Sequence, residues 1–301
     1  MRMSASQSSP YRLENVRSAI GHYLLGRGAG AVIGLATAVL LVRHMDVAAY
    51  AGYTALLGLA GISGMLAALG LERALTRYIP EGRLYQTPKA LSRFIWKIVL
   101  TRLAAASAAA FLLWVTWKWL VSLFEFVTLP AMPISLAVFL IANSAFSLLS
   151  TALQSLVLQK LLTRISVVLW TCRLAAILLF VHEFAVLTLD QALWVMALPE
   201  LAGALILMAA IHSALRQREV AVVEGVQQAS VPWPMCGEVK NLAGHAYTFN
   251  MLASLPQGYF MRTLVAATLP VDIVAAYGFF SSLIDKLRMY LPMQLMYNLA
   301  E

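Results

Sequence analysis

Charge is scarce in this chain. Of 301 residues, 22 are Lys or Arg and 14 are Asp or Glu, together 12% of the sequence. A water-soluble domain carries about twice that proportion, so too few polar side chains remain to cover an aqueous surface. Histidine and cysteine are scarcer, with five and two. His22, His44, His182, His212 and His245 are scattered near helix ends and form no metal-ligand spacing. Cys172 lies in an apolar run and Cys236 in a polar stretch, a poor arrangement for a disulfide. There is no glycine-rich phosphate loop, because Gly26-Arg27-Gly28 lacks the rest of any such motif. No Ser, His and Asp constellation is apparent. These absences argue against an enzyme, with no catalytic residue, metal site or cofactor expected. Strand-like alternation is missing too. So is a cleavable signal peptide: residues 1–17 are polar, and the first apolar run is long and lacks a small-residue cleavage site after it.

What is present is length and continuity of apolar sequence. Hydrophobic residues make up 61%, and the mean hydropathy is +0.77. A bilayer crossing needs about 20 mostly apolar residues. Runs of that kind cover 18–42, 47–70, 98–123, 131–156, 165–184, 189–211 and 244–268, and an eighth starts near Val271. They predict an all-α polytopic membrane protein with about eight transmembrane helices. Cations orient it. Arg2, Arg12 and Arg17, then Arg73, Arg77, Arg83, Lys89, Arg93, Lys97 and Arg102, then Lys160, Arg164, Arg216, Arg218 and Lys240 fall on one side. Lys97 and Arg102 are expected to snorkel there from the start of the third span. The opposite side holds Arg43 and Lys118 with Asp46, Glu125, Glu183, Asp190 and Asp272. The positive-inside rule makes the N-terminus cytoplasmic and the protein multi-pass in the cytoplasmic (inner) membrane. The net charge of +8 therefore reflects orientation and contact with anionic lipid, with the bilayer as partner and no nucleic acid.

Five cations remain after the loops are counted: Arg27, Arg173, Arg262, Lys286 and Arg288. Each lies in an apolar run or its extension. From Val271 to Ile284 is too short to cross, so the eighth helix is expected to run on through Asp285-Lys286-Leu287-Arg288 towards Leu295. A charge at bilayer depth costs about 3 to over 10 kcal/mol and persists where it faces a cavity, a partner or a charged substrate. Glu200, after Pro199 in span six, is the expected partner of Arg173, either as a structural pair or as a coupling residue. Arg27 neighbours Gly26, Gly30 and Gly34, a spacing that admits a close helix. That reads either as a packing seam or as a lumen-facing cation beside a mobile contact. Pro256, Gln257 and Gly258 interrupt span seven, as helices at transporter substrate paths often are.

The expected organisation is a cytoplasmic segment 1–17, an N-terminal lobe of six spans over 18–211, a cytoplasmic linker 212–243, and the start of a second lobe over 244–301. Val47-Ala48-Ala49-Tyr50 and Val274-Ala275-Ala276-Tyr277 follow Asp46 and Asp272 in matching positions, which favours a repeated lobe.

The stretch His22–Gly34 (HYLLGRGAGAVIG) resembles the first helix of Wzx-type lipid-linked oligosaccharide flippases, of the multidrug/oligosaccharidyl-lipid/polysaccharide exporter superfamily. Leu41-Val42-Arg43-His44-Met45 with Tyr50-Ala51-Gly52-Tyr53 resembles their first turn and second helix. Gly70 to Gly82 (GLERALTRYIPEG) resembles the segment after it. The resemblance covers 18–83. It implies two lobes around a central cavity, the second incomplete here, moving a polyprenyl-pyrophosphate-linked oligosaccharide by alternating access for cell-surface polysaccharide biosynthesis. It also implies partnership with other polysaccharide-assembly proteins and a coupling ion, proton or sodium. It supports Arg27 by motif, and for Arg173, Arg262, Lys286 and Arg288 a cationic cavity that suits pyrophosphate. Two other expectations stand beside it: a cation-coupled multidrug exporter of the same superfamily, and a truncated non-transporting scaffold for glycan-assembly enzymes.

Overall fold

The structure is a computed structural model, described here for residues 13–127, 129–130, 132–222, 236–254 and 258–288. Among these, all the regular elements are α-helices: α1 (Leu13–His44), α2 (Val47–Leu66), α3 (Leu71–Tyr85), α4 (Pro88–Val115), α5 (Trp117–Ser122), α6 (Ile134–Ser155), α7 (Gln159–Phe184), α8 (Leu189–Val222), α9 (Cys236–Ser254), α10 (Gly258–Thr268) and α11 (Val271–Arg288). Five helices, α2, α4, α6, α7 and α8, contain stretches long and apolar enough to cross a bilayer, and Gly28–His44 of α1 is a shorter apolar stretch. Large apolar side chains point outward along them, including Leu100, Phe111 and Trp114 on α4, Val168 and Leu179 on α7, and Leu205 on α8. That much exposed apolar surface requires hydrocarbon around it. The chain is an all-α polytopic membrane protein.

Local signals set the element ends. The Asp46 carboxylate accepts from the Ala48 N–H at 3.1 Å and caps α2. Thr87 caps α4 by accepting from the Ala90 N–H at 3.3 Å, and Pro88 occupies its first turn, where no N–H is needed. Between α2 and α3 the chain turns through Gly70 at φ +64°, where a Cβ would meet the Ala243 carbonyl oxygen of α9.

Two of the sequence expectations change here. The third span does not begin near Ile98. The Thr87-Pro88 start signal places the helix ten residues earlier, and α5 continues it after a break at Thr116. Lys89, Arg93 and Lys97 thus ride on a helix that packs against α3. The apolar stripe Leu71, Ala74, Leu75, Tyr78 and Ile79 of α3 meets Leu91, Phe94, Ile95 and Ile98 of α4 in a buried cluster shared with α6 and α8. The second change concerns Arg102. It does not snorkel to the surface; it is 4% exposed, with Nη2 3.8 Å from Glu72 Oε1 at the start of α3. Arg102 is buried while Glu72 keeps its side chain partly exposed.

A second core lies towards the other end, where Leu41, Tyr50, Leu56, Leu113, Leu136, Ile177 and Leu193 are buried together with Ala266 of α10 and Val274 of α11. The hairpin α10–α11 packs on α2, and α11 also reaches α1. The expected linker 212–243 is helical where described: α8 runs on to Val222 and α9 starts at Cys236.

Candidate functional site

The site is built on four helices around α2. On α7, Arg173 is about 21 Å along the axis from Gln159 and about 16 Å from Phe184, at 1.5 Å per residue. Neither end is within reach of its side chain. Its Nη2 donates to Glu200 Oε1 on α8 at 3.0 Å and to the Met196 carbonyl at 3.3 Å. Pro199 has no N–H and disturbs the helical ladder around it, which leaves carbonyls of this turn open to a side-chain donor. The pair is incompletely satisfied. Arg173 Nε and Glu200 Oε2 are buried without a hydrogen-bond partner.

On the hairpin α10–α11, Arg262 is 5% exposed and hydrogen-bonded through Nε and Nη2. Nη2 donates to Asp285 Oδ2 at 2.7 Å, Nε donates to Ser281 Oγ at 2.9 Å, and the guanidinium lies 5.9 Å from the Tyr259 ring centroid. Ser281 in turn donates to the Gly278 carbonyl at 3.1 Å. Residues 281, 282 and 285 stand on one face of α11 because they follow the i, i+1, i+4 spacing of a helix. A Cβ added at Gly258 would stand 3.6 Å from Asp285 Oδ2, so this carboxylate also lies beside the first described residue of α10.

Lys286 joins the two pairs. Its stem lies against Gly34 of α1, where a Cβ would come within 2.8 Å of Cε. It is within electrostatic range of Arg173, Glu200, Arg262 and Asp285. Tyr53 of α2 is buried, within electrostatic range of Arg173, Arg262 and Glu200, and the buried Tyr50 lies near Ser282. Among the described residues three cations (Arg173, Arg262, Lys286) therefore meet two carboxylates (Glu200, Asp285), an excess of one. Among the described residues Lys286 makes no ion pair, so the excess resides on it.

Neither family models nor curated proteins nor solved structures give a match to this chain. Function is therefore read from the site.

The structure brings together Arg173, Glu200, Arg262, Lys286 and Gly258. The Arg27 and Arg288 side chains, Pro256 and Gln257 lie outside the described residues. Asp285, Ser281, Ser282, Tyr50 and Tyr53 were not anticipated as site residues. The Ser281–Asp285 spacing and the Tyr50–Tyr53 spacing on one helix face were the available signals. Among the described residues, no group of three His, Cys, Asp or Glu could hold a metal ion.

The glycine spacing on α1 also finds its neighbours. Gly26 faces Thr163 and Gly30 faces Trp170, both on α7, whereas Gly34 faces Lys286 on α11. One stripe of small residues thus meets α7 at its first two positions and α11 at its third. Gly58 and Gly61 of α2 do the same for Thr263 and Tyr259 of α10.

Proposed function

We propose that this protein translocates a polyprenyl-pyrophosphate-linked oligosaccharide across the cytoplasmic membrane by alternating access, for cell-surface polysaccharide biosynthesis. One observation carries the reading: Arg173, Arg262 and Lys286 gather with two carboxylates, Glu200 and the half-exposed Asp285, where α10–α11 pack on α2 and α1. A surplus of positive charge away from water is costly, and a pyrophosphate supplies an anion to offset it. Lys286 receives it first as a point charge. Arg173, with Nε unpartnered, offers a second donor in the planar geometry that phosphate oxygens accept. Glu200 and Asp285 hold the guanidinium groups of Arg173 and Arg262 and compete with the substrate for them. Protonation of Glu200 frees Arg173, so a proton is the coupling ion this arrangement fits best. The glycine contacts at positions 34, 58 and 61 let α10–α11 slide against α1 and α2 as access alternates. The resemblance over 18–83 points the same way, with the N-terminus cytoplasmic by the positive-inside rule.

The test is flipping by the purified chain in proteoliposomes, read as exposure of a labelled polyprenyl-pyrophosphate glycan to an impermeant reagent. Wild type moves the label. Lys286→Ala lowers the rate about ten-fold or more, the effect of losing one charge-assisted contact, and Lys286→Arg keeps most of it. A wild-type chain that inserts but never flips overturns the transport reading and leaves the scaffold for glycan-assembly enzymes. A second reading, a cation-coupled multidrug exporter, is favoured by one feature, the unpartnered Oε2 of buried Glu200. Ethidium efflux that Glu200→Gln abolishes would select it.

A further inference from the structure

We propose that a cleft between α4 and the end of α8 binds a phosphate group, presented by the headgroup of an anionic phospholipid. The cleft has a volume of about 620 Å³ and is lined by Pro88, Lys89, Ser92 and Arg93 of α4 and by His212, Leu215 and Arg216 of α8. Each set follows helical spacing, so two stripes face each other across a gap of the size that small-molecule sites have. Leu215 is buried at the floor, while Arg93, His212 and Arg216 are exposed at the mouth. Among the described residues no carboxylate lines it, although three cations do. Among the described residues Arg93 and Arg216 form no ion pair. Like charges that converge from two helices repel, and an anion between them removes the repulsion. Arg suits a phosphate because its fork meets two oxygens at once.

Depth chooses the source. The apolar run of α8 ends at Ile211 and that of α4 begins at Ile98. Arg216 and Arg93 are each five residues beyond those limits, about 7–8 Å along the helix axis at 1.5 Å per residue. The polar headgroup layer on each side of the hydrocarbon has about that thickness. Both guanidinium groups therefore stand at the level of lipid phosphates, one turn above acyl chains that α4 and α8 already face. A soluble phosphate would find the same donors without that anchoring. This site is separate from the ionic cluster around Lys286, and it stands on the membrane assignment alone.

The experiment uses the full chain, delipidated in detergent, with bound lipid counted by native mass spectrometry. Phosphatidylglycerol and phosphatidylcholine are titrated in parallel, and millimolar inorganic phosphate is the competitor. We expect wild type to favour phosphatidylglycerol about ten-fold or more, since each surface cation adds to anionic-lipid attraction. R93Q/R216Q should bring the two lipids to parity, and K97Q/R164Q, which removes cations outside the cleft, should leave the preference in place. If R93Q/R216Q elutes as aggregate, R216Q alone is compared. Phosphate that displaces the lipid and binds with similar affinity overturns the lipid source while retaining the phosphate site. Equal lipid binding by wild type, or an unchanged preference in R93Q/R216Q, overturns the site.

Discussion

At the scale of single residues, the proposed function separates two jobs for the Arg173–Glu200 pair. As a structural pair it neutralises two charges at bilayer depth; as part of a transport site it offers a guanidinium to substrate. Glu200→Gln leaves Arg173 buried beside a neutral group, which costs about 3–5 kcal/mol for a buried pair losing one partner. Thermal unfolding in detergent should show it as a clear drop in Tm. The double variant Arg173→Met/Glu200→Leu removes both charges, and its Tm should return close to wild type, because apolar replacement of a buried pair is often neutral or stabilising. Flipping decides between the jobs. A transport site predicts that the double variant is stable and inactive, whereas a purely structural pair predicts that it is stable and active. The pair was legible in the sequence because each member is an isolated charge in an apolar run. Asp285 was not, since Asp285-Lys286-Leu287-Arg288 reads as a basic extension of the last helix. Only the hairpin fold between residues 262 and 285 turns that acid towards Arg262.

At the scale of elements, glycines govern how closely the helices approach. Gly70 and Gly244 make opposite predictions. Gly70 has φ +64° and its missing Cβ faces a backbone carbonyl, that of Ala243, which no rotamer change can move aside. Gly70→Ala should therefore destabilise by more than the roughly 1–2 kcal/mol of the left-handed backbone alone. Gly244 lies within α9 with nothing within 4 Å of a built Cβ. Gly244→Ala should stabilise by about 1 kcal/mol through helix propensity. Paired melting curves check both. On α1, Gly30→Val drives a side chain into Trp170 of α7; overpacking of this kind costs about 1–3 kcal/mol. Adding Trp170→Ala opens the space and should recover part of that loss in Tm, which would not happen if the valine acted through α1 alone. The element scale also shows where sequence reading stops. Five of the eight expected runs fall on the helices that, among the described residues, are long and apolar enough to cross, because length and hydropathy are what a bilayer selects; the runs 18–42, 244–268 and the one from Val271 do not. Two features escaped that filter. The stripe Leu71, Leu75, Tyr78 and Ile79 carries helical spacing inside a stretch too polar to count as a span, and the start of α4 is set by Thr87 and Pro88 rather than by hydropathy. Missing the second of these put Arg102 at the surface instead of beside Glu72.

At the scale of the whole molecule, charge and packing must agree on one orientation. The α3–α4 hairpin carries Arg73, Arg77, Arg83, Lys89, Arg93 and Lys97 at one end, and α4 then crosses towards Lys118 on α5. Arg102, buried with Glu72 3.8 Å away, is the last cation on α4, and the next along the chain is Lys118. From Leu103 to Val115 the helix presents Phe111, Leu112 and Trp114 outward, which only hydrocarbon accommodates. Arg77 and Lys118 are both exposed and should therefore face opposite aqueous compartments, with Arg77 inside if the positive-inside rule orients the chain. Arg77→Cys and Lys118→Cys, each in a chain with Cys172→Ala and Cys236→Ser, allow this to be read in intact cells with an impermeant maleimide. Labelling of position 118 before lysis and of position 77 only after lysis is expected. The reverse order would invert the protein and would place the cationic cleft on the outer face, whereas labelling of both before lysis would mean that α4 does not cross. The first outcome also fixes the side from which Lys286 would have to receive an anionic substrate made in the cytoplasm, since α1 and α11, which meet at Gly34 and Lys286, keep their places relative to α4 in either orientation.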